Sequence, residues 1–355
     1  MNDRADRPRR ILQLVTHDGL GGIRTLVEML ETDLRAEGFA VDTMALTTER
    51  GGLTPIADMS RVAGAILSGR YDAIFTYQAA ASLFGNLLGT LRGVPLRAPH
   101  QTAAPEGIRP HWRALDRMFG TIGIYTHIVS NSGATSDSFA AWPKPYRDRF
   151  VLIPHGVDAI APSGVTDWRA TLRLPLDAPV LLATGRMTDQ KNHATAAAAL
   201  PLLPNAHLLI AGDGPLRDAI RAQATSLGVA DRLHLLGPID RARLGDLLAT
   251  ANVYLFPSVW ETFGLAGVEA AMAGLPIVAA DLPVLREVLD LGPAGMVRFH
   301  PTQDAEQLAA AVRATLAAYP DPASRSAFAA AHVARHSRAR MIALYRDLLL
   351  NPKAR

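Results

Sequence analysis

The segment Glu261-Thr-Phe-Gly-Leu-Ala-Gly-Val-Glu269 combines residue types that could bind an anionic, hydroxyl-rich ligand. Gly264 allows a close approach of backbone to a ligand. The helix predicted after it would present free N–H groups and the positive end of its dipole to an anion. Carboxylates such as Glu261 and Glu269 accept charge-assisted hydrogen bonds from sugar hydroxyls. We interpret the segment as a binding loop; the alternative is that Glu261 is a solvated loop residue and Glu269 a surface residue of the helix.

A second polar segment, Gly185-Arg-Met-Thr-Asp-Gln-Lys-Asn-His193, directly follows a predicted strand. Its two cations could neutralise a diphosphate, Arg186 as a planar fork and Lys191 as a point charge. Ligands of α/β sheets bind outside the carboxyl ends of the strands, so this position favours a functional role. The alternative is an ordinary basic turn between a strand and a helix.

A glycine-rich turn, Gly19-Leu-Gly-Gly-Ile-Arg24, follows the first predicted strand. The dinucleotide pattern G-x-G-x-x-G needs glycine where this chain has Arg24, and Gly212-Asp-Gly214 fails in the same way at Arg217. These failures argue against a dehydrogenase, and the lack of a Walker A motif argues against a P-loop enzyme. A pair of glycines at a helix start still suits a phosphate; the alternative is a simple strand–helix turn.

The elements that must position these loops alternate between short apolar runs and helical segments, which predicts parallel α/β sheets. The predicted strands are Ile11–Thr16, Ala40–Leu46, Ala73–Thr76, Leu96–Ala98, Ile128–Val129, Phe150–Ile153, Val180–Ala183, His207–Ala211, Leu233–Leu236, Val253–Phe256 and Ile277–Ala279. A proline-containing segment with weak periodicity, Pro154–Pro162, divides them into two series. We therefore expect two facing, Rossmann-like doubly wound domains with a cleft between them, at 1–157 and 158–335. A C-terminal helix at 336–355 is expected to pack back on the N-terminal domain.

The composition narrows the classes of function. The 355 residues are 49% apolar and 19% charged, which is typical of a globular protein. The chain has no cysteine, which excludes disulfides, thiolate nucleophiles and thiolate metal sites. Its net charge of +3 is spread along the chain without a dense basic block, so we expect no nucleic-acid partner. The first apolar run has the length of a strand rather than of a signal-peptide core, which predicts a cytoplasmic protein.

One stretch of the first predicted domain combines Trp112 with several arginines, namely Arg92, Arg97, Arg109, Arg113 and Arg117. It could meet a lipid-diphosphate acceptor, which leaves open a peripheral contact with the inner face of a membrane. The alternative is a solvated helix face, and the sequence alone favours that alternative.

Taken in order along the chain, these segments resemble the retaining glycosyltransferases of family 4, which have the GT-B fold. The matching pieces are Gly21-Gly22, Ser130-Asn-Ser132 with Asp137, Ile153-Pro-His-Gly-Val-Asp158, Gly185-Arg186 with Lys191, Gly212-Asp-Gly-Pro215, Pro257-Ser258, and Glu261 with Glu269. Each piece is weak alone, whereas the ordered set spans nearly the whole chain and is specific. The resemblance implies an acceptor-side N-terminal domain and a C-terminal domain that binds a nucleotide sugar.

The resemblance also implies roles for single residues. Arg186 and Lys191, beside Gly185, would hold the donor diphosphate. Glu269 would bind the ribose hydroxyls, and Glu261 those of the donor sugar. The resemblance further implies that backbone N–H groups of Phe263, Gly264 and Leu265 lie near the sugar and phosphate. The Gly21-Gly22 loop would approach the diphosphate closely, and the ring of His100 would face the donor sugar. The base would be contacted near Leu236–Ile239. The alternative for His100 is an ordinary loop histidine.

Two departures from the family pattern limit these assignments. His155 stands where relatives carry asparagine, so the role of that side chain is open. Gln101-Thr102 follows His100 where many relatives have a small or acidic residue, so the acceptor side has no assigned residue.

The predicted reaction is transfer of a sugar from a UDP- or GDP-sugar to a glycan, lipid-linked or small-molecule acceptor, in polysaccharide or glycoconjugate synthesis. The chain has no Asp-x-Asp motif, so we expect no metal and no cofactor. We expect Arg186, Lys191 and the helix after Gly264 to neutralise the charge of the leaving diphosphate instead. Front-face attack is preferred because no carboxylate nucleophile could be identified. The alternatives are another GT-B enzyme such as a UDP-sugar 2-epimerase, and a nucleotide-sugar-binding protein that has lost catalysis.

Overall fold

Residues 8–17, 22–47 and 55–352 are described by the computed structural model of this chain. The chain divides into two units, one formed by Met1–Pro154 with Met341–Arg355 and the other by His155–Arg340. The sequence had placed these boundaries after 157 and after 335. They differ because the backbone N–H of Val157 donates to the carbonyl of His336 at 2.9 Å, and that of Arg338 to the carbonyl of Val157 at 3.2 Å. This pairing makes both segments part of the second unit.

The first unit contains a six-stranded parallel sheet in the order β2-β1-β3-β4-β5-β6. Its strands are β1 Arg10–His17, β2 Ala40–Thr47, β3 Ala73–Tyr77, β4 Leu96–Gln101, β5 Ile128–Ser130 and β6 Phe150–Leu152. Strand β3 is buried along its whole length, as a central strand covered on both faces must be. The order of the strands reverses between β1 and β3, so the carboxyl ends of these two strands mark the expected ligand-binding edge of the unit.

Helices cover both faces of this first sheet. They are α1 Gly22–Ala36, α2 Pro55–Ser68, α3 Ala79–Arg92, α4 Pro110–Ile122, α5 Gly133–Asp137 and α6 Lys144–Arg147. The last helix of the chain, α15 Arg338–Leu350, returns to this unit. Its residues Met341, Tyr345 and Leu348 belong to the same apolar core as Ile11 and Leu30.

The second unit contains a six-stranded parallel sheet in the order β12-β11-β10-β7-β8-β9. Its strands are β7 Val180–Thr184, β8 His207–Ala211, β9 Leu233–Gly237, β10 Val253–Phe256, β11 Ile277–Ala280 and β12 Val297–His300. Strand β12 was not predicted, because its sequence Val-Arg-Phe-His is mixed in polarity and its first three residues are only half-buried. The order reverses between β7 and β10, which places the expected ligand-binding edge beside the segments after Thr184 and after Phe256.

The helices of the second unit are α7 Trp168–Leu172, α8 His193–Ala199, α9 Arg217–Ser226, α10 Arg241–Thr250, α11 Leu265–Met272, α12 Pro283–Leu289, α13 Ala305–Ala317 and α14 Pro322–His336. Helix α14 begins at Pro322, and Asp321 caps it by accepting a hydrogen bond from the N–H of Ser324. The prediction of parallel α/β sheets is confirmed in both units. None of the helices in the described ranges is long and apolar enough to cross a membrane.

Candidate functional site

Two glycine turns fix the loop that follows β7. Gly185 and Gly212 have φ values of +127° and +140°, and a Cβ atom on Gly212 would lie 2.0 Å from the carbonyl oxygen of Gly185. A Cβ on Gly214 would lie 2.5 Å from the carbonyl oxygen of Met187. The loops after β7 and β8 therefore cross with no space for a side chain, which holds the segment leading to Lys191 in place. The sequence showed these glycines only as a failed dinucleotide pattern and as one piece of the family resemblance.

Lys191 and Glu261 contact each other at the point where the sheet order reverses. The Nζ atom of Lys191 donates to Oε1 of Glu261 at 2.5 Å, and the hydroxyl of Ser258 donates to the same oxygen at 2.9 Å. The Glu261 side chain is 7% exposed and that of Lys191 is 20% exposed. The alternative of a solvated loop glutamate is therefore wrong. Lys191 carries three donor hydrogens, and its bond to Glu261 uses one of them.

A buried tyrosine adjoins this pair and was not predicted as part of the site. The hydroxyl of Tyr254 on β10 is hydrogen-bonded to Oγ1 of Thr184 at 2.7 Å, across the β7–β10 boundary. Burial raises the pKa of Tyr254 well above its ordinary value, and the carboxylates of Glu269 and Glu261 raise it further. Tyr254 thus stays a neutral phenol. No sequence pattern singles out Tyr254, because a tyrosine within an apolar run is expected in any buried strand.

Glu269 lies on α11 with its carboxylate largely covered. Its Oε1 is 3.6 Å from a guanidinium nitrogen of Arg241, and its side chain is 21% exposed. Burial raises the pKa of Glu269, and the charge of Arg241 opposes that shift. The alternative of a plain surface glutamate is therefore wrong. Arg241 also donates to the carbonyl of Asp158 at 2.5 Å, and the sequence had not marked it.

Gly264, directly before α11, has a conformation that only glycine adopts easily. Its φ is +97°, and a Cβ there would lie 2.9 Å from the Phe256 ring and 3.0 Å from Leu285. Phe263, the preceding residue, is buried and makes edge-to-face contacts with His155 at 5.2 Å and with His336 at 5.4 Å between ring centroids. These two rings hold Phe263 in place just before α11, whereas Leu265 at the start of the helix is exposed. Burial lowers the pKa of His155 and of His336 to about 4, so both rings are neutral near pH 7.

Arg186 is the uncompensated cation of this region. Its side chain is exposed, directly follows Gly185, and forms no ion pair with any residue of the described ranges. A guanidinium in that state can accept an anion without losing an existing partner.

In the first unit, Gly21 lies outside the described residues and Gly22 begins α1. His100 at the end of β4 is buried, with Nε2 2.8 Å from the hydroxyl of Tyr345 and Nδ1 3.3 Å from the carbonyl oxygen of Thr76. A carbonyl can only accept, so Nδ1 carries the proton and Nε2 accepts from Tyr345. Both ring nitrogens are thus used within this unit. Contact of His100 with a sugar stays a prediction and requires one of these bonds to open.

A polar cluster missed by the sequence lies where the first sheet reverses its order. Gln78 follows β3 with φ 70°, and its Oε1 accepts from the backbone N–H of Thr16 at 3.0 Å. Its Nε2 lies 3.1 Å from Nε2 of His17. A positive φ at a residue other than glycine is a strained conformation that is often found at functional sites. A glutamine at this position has no sequence pattern that would have singled it out.

The described residues contain no group of three or more His, Cys, Asp or Glu side chains arranged to hold a metal ion.

Comparison with known proteins gives three kinds of match. Residues 165–331, all in the second unit, match the family model of glycosyl transferases group 1. The chain is 34% identical to the glycogen synthase of Mycobacterium tuberculosis over 202 residues, which is 56% of this chain and 46% of that protein. It is 31% identical to the phosphatidyl-myo-inositol mannosyltransferase of Mycolicibacterium smegmatis over 254 residues, which is 70% of this chain and 62% of that protein. The two matches thus span less than two thirds of the length of either relative.

Solved structures match over nearly the whole chain. The sucrose-phosphate synthase of Thermosynechococcus elongatus has a TM-score of 0.74 at 22% identity and covers 96% of this chain and 99% of its own. Anabaena HepE in complex with UDP and glucose has a TM-score of 0.79 at 19% identity and covers 97% of this chain and 100% of its own. At such identities the likeness shows the fold, and the predicted GT-B fold class is confirmed.

Proposed function

We propose that this chain, whose residues 165–331 match the family model of the glycosyl transferases group 1 and which has the GT-B fold, transfers a sugar from a nucleotide-diphosphate donor to an acceptor with retention at the anomeric carbon. The observation that carries the proposal is the Lys191–Glu261 pair. A cation and a carboxylate meet at the reversal point of the sheet, where α/β folds bind their ligands. The cation can neutralise a diphosphate, and the carboxylate can accept a hydrogen bond from a sugar hydroxyl.

The donor's diphosphate is proposed to lie between Arg186, Lys191 and the N-terminus of α11. Arg186 is exposed without an ion-pair partner among the described residues, and Gly264 keeps the helix start free of a side chain. Glu261 would accept from hydroxyls of the transferred sugar and Glu269 from those of the ribose. UDP is the first donor nucleotide to test, because HepE is described with UDP and glucose.

The chemical demand on the site is to stabilise a departing diphosphate. In the proposed front-face step the acceptor hydroxyl oxygen bonds to the anomeric carbon, and the bond from that carbon to the diphosphate oxygen breaks. The acceptor's proton passes to the departing phosphate. Arg186 and Lys191 stabilise the charge that develops on the leaving oxygen, which is electrostatic catalysis by preorganised groups. We propose that this replaces a metal ion.

The acceptor is proposed to be a glycan, a lipid-linked sugar or a small molecule, in polysaccharide or glycoconjugate synthesis at the cytoplasmic side. The named activities of the two relatives, glycogen synthesis and mannosyl transfer to phosphatidyl-myo-inositol, support this range of acceptors.

Donor binding and product analysis test the proposal together. Thermal shift with UDP, GDP and their sugars should show stabilisation by one nucleotide series. Proton NMR of the product formed with candidate acceptors should then show the anomeric configuration of the donor retained. Inversion would contradict the proposed mechanism. Release of an epimerised sugar without any acceptor would favour the epimerase alternative, and donor binding without turnover would favour a binding protein.

A further inference from the structure

Helix α4 packs Phe119 against the core of the first unit but leaves three other apolar side chains exposed to solvent. The buried positions are Asp116, which is 6% exposed, and Gly120. Leu115, Met118 and Ile122 are 39%, 46% and 65% exposed. These three residues lie three and four positions apart and share one stripe of the helix. A surface helix of a globular domain normally buries such a stripe, so this one is left for contact with something outside the chain.

Contacts on the inner side fix this orientation. The Asp116 carboxylate accepts from Nε2 of Gln101 at 2.7 Å, from the Tyr146 hydroxyl at 2.8 Å and from the Tyr125 hydroxyl at 2.9 Å. A Cβ on Gly120 would lie 2.2 Å from the Tyr146 ring. Turning the helix to bury Leu115 or Ile122 would break all three hydrogen bonds and place a side chain against that ring. The outward apolar stripe is therefore built into the fold.

The neighbouring helix α3 extends the apolar surface. Leu87 and Leu91, one helical turn apart, are 40% and 72% exposed. The ends of the two helices adjoin, because the hydroxyl of Thr90 donates to the carbonyl of Ile124 at 3.3 Å, and Nε of Arg97 donates to the same carbonyl at 2.8 Å. We call the exposed apolar residues of both helices the α3–α4 face; they are Leu87, Leu91, Leu115, Met118 and Ile122.

The charge around the α3–α4 face is positive. Arg92, Arg109 and Arg117 are exposed, and none of them forms an ion pair with a residue of the described ranges. Helices α3 and α4 contain one acidic residue, Asp116, and it is buried. Arg97 does not belong to this set, because its guanidinium donates to the carbonyls of Val94, Gly123 and Ile124.

We propose that the α3–α4 face docks the first unit on a bilayer that contains anionic lipid. Exposed leucine, methionine and isoleucine suit the acyl boundary, and unpaired arginines with long apolar stems suit anionic headgroups. A protein partner is the less favoured occupant, because protein interfaces surround an apolar centre with a polar rim of mixed groups, and these two helices expose no carboxylate. This inference concerns the first unit and holds whether or not the proposed sugar transfer is correct.

Co-sedimentation of the full chain with vesicles tests the docking surface. Vesicles of phosphatidylcholine with about 30% phosphatidylglycerol should bind the protein, and raising the salt should weaken that binding. Vesicles of phosphatidylcholine alone should bind far less. A failure to bind the anionic vesicles at low salt would overturn the proposal.

Two double variants assign the binding to this face. Met118→Glu with Ile122→Glu should reduce partitioning on the order of tenfold or more, because it removes apolar contact and adds repulsion. The matched control is Val165→Glu with Leu176→Glu, two residues of the second unit that are 73% and 89% exposed, and it should retain most of the binding. Circular dichroism melting curves verify that both variants fold. Equal losses of vesicle binding in both variants would contradict the assignment. A dimer of the wild type in sedimentation velocity that only the α4 variant abolishes would also contradict it, because the face would then bind a second copy of the chain.

A third double variant, Arg92→Gln with Arg117→Gln, tests the electrostatic part. It should weaken binding to the anionic vesicles and flatten its dependence on salt. An unchanged salt dependence would contradict the role given to these arginines.

Discussion

The ammonium of Lys191 donates to the carboxylate of Glu261 at 2.5 Å across 70 residues of sequence. Lys191 comes from the loop after β7, which the crossing of Gly185 and Gly212 holds in place. Glu261 comes from the segment after β10, and the Ser258 hydroxyl supports it. The pair therefore joins the two strands at the reversal point of the second sheet, and each residue positions the other for a ligand.

The first prediction concerns the stability of this pair. A double-mutant cycle of Lys191→Ala and Glu261→Gln, measured by urea unfolding, should give a coupling of ~1–3 kcal/mol, because the pair is largely withdrawn from water. The exposed pair Lys144–Asp148 is the control; its side chains are 75% and 46% exposed, and its cycle should give below about 0.5 kcal/mol. Equal couplings would show that the Lys191–Glu261 contact adds nothing beyond a surface ion pair.

The second prediction concerns the crossing of the glycine loops. Gly212→Ala should destabilise the protein by ~2–4 kcal/mol and abolish nucleotide binding, because the new Cβ would overlap the Gly185 carbonyl. Gly228→Ala is the control, since Gly228 has φ +68° with nothing within 4 Å. It should cost only ~1–2 kcal/mol of backbone strain and leave binding intact. Chemical denaturation and a nucleotide titration measure both effects, and similar losses in the two variants would disprove the close-approach argument.

The strands and helices of this chain are more visible in its sequence than the contacts between them. Strand runs such as Val253–Phe256 are visible because burial on both faces demands continuous apolar residues. Strand β12 was missed because a half-buried edge strand lacks that signal. Glu261 and Lys191 were marked singly from residue type and position, whereas their mutual contact depends on the sheet order, which no local pattern encodes.

Contacts made by residues that no motif singles out also could not be predicted from the sequence. Arg241 reaches Glu269 from α10, and an arginine in the first turn of a helix is unremarkable in a sequence. Tyr254 is expected in a buried strand whether or not its hydroxyl faces a site. On α4, the apolar stripe would ordinarily predict a buried face, and only the contacts of Asp116 and Gly120 show that the stripe points outward.

The third prediction concerns pH. Burial, together with the charges of His332 and Arg335, lowers the pKa of His336 from its ordinary value of 6.5 to about 4 in the folded protein. The unfolded chain therefore takes up a proton at higher pH than the folded chain does. The stabilising contribution of the neutral ring is complete above about pH 6.5 and is lost as the pH falls toward 4.

A variant isolates this contribution. His336→Phe keeps an aromatic ring beside Phe263 and should flatten the decline in unfolding free energy between pH 6.5 and 4 relative to wild type. His111→Phe, at an exposed position, should leave the slope unchanged. Identical slopes for wild type and His336→Phe would contradict the prediction.

The fourth prediction concerns metal ions. Because Arg186, Lys191 and the α11 N-terminus are proposed to stabilise the leaving diphosphate, activity should survive dialysis against EDTA and should not rise when Mg²⁺ or Mn²⁺ is restored. Initial rates before and after chelation measure this. Loss of activity that only a divalent cation restores would defeat the metal-free proposal without affecting the assignment of the donor site.

The most direct test of the central claim compares turnover with donor affinity in Arg186→Ala and Lys191→Ala. If these cations stabilise charge that develops as the diphosphate leaves, turnover should fall about 10²–10³-fold in each variant, whereas the donor Kd should rise less than about tenfold. Single-turnover rates with the nucleotide sugar, together with Kd from titration of the same donor, provide both numbers. Wild-type turnover in both variants would contradict the account.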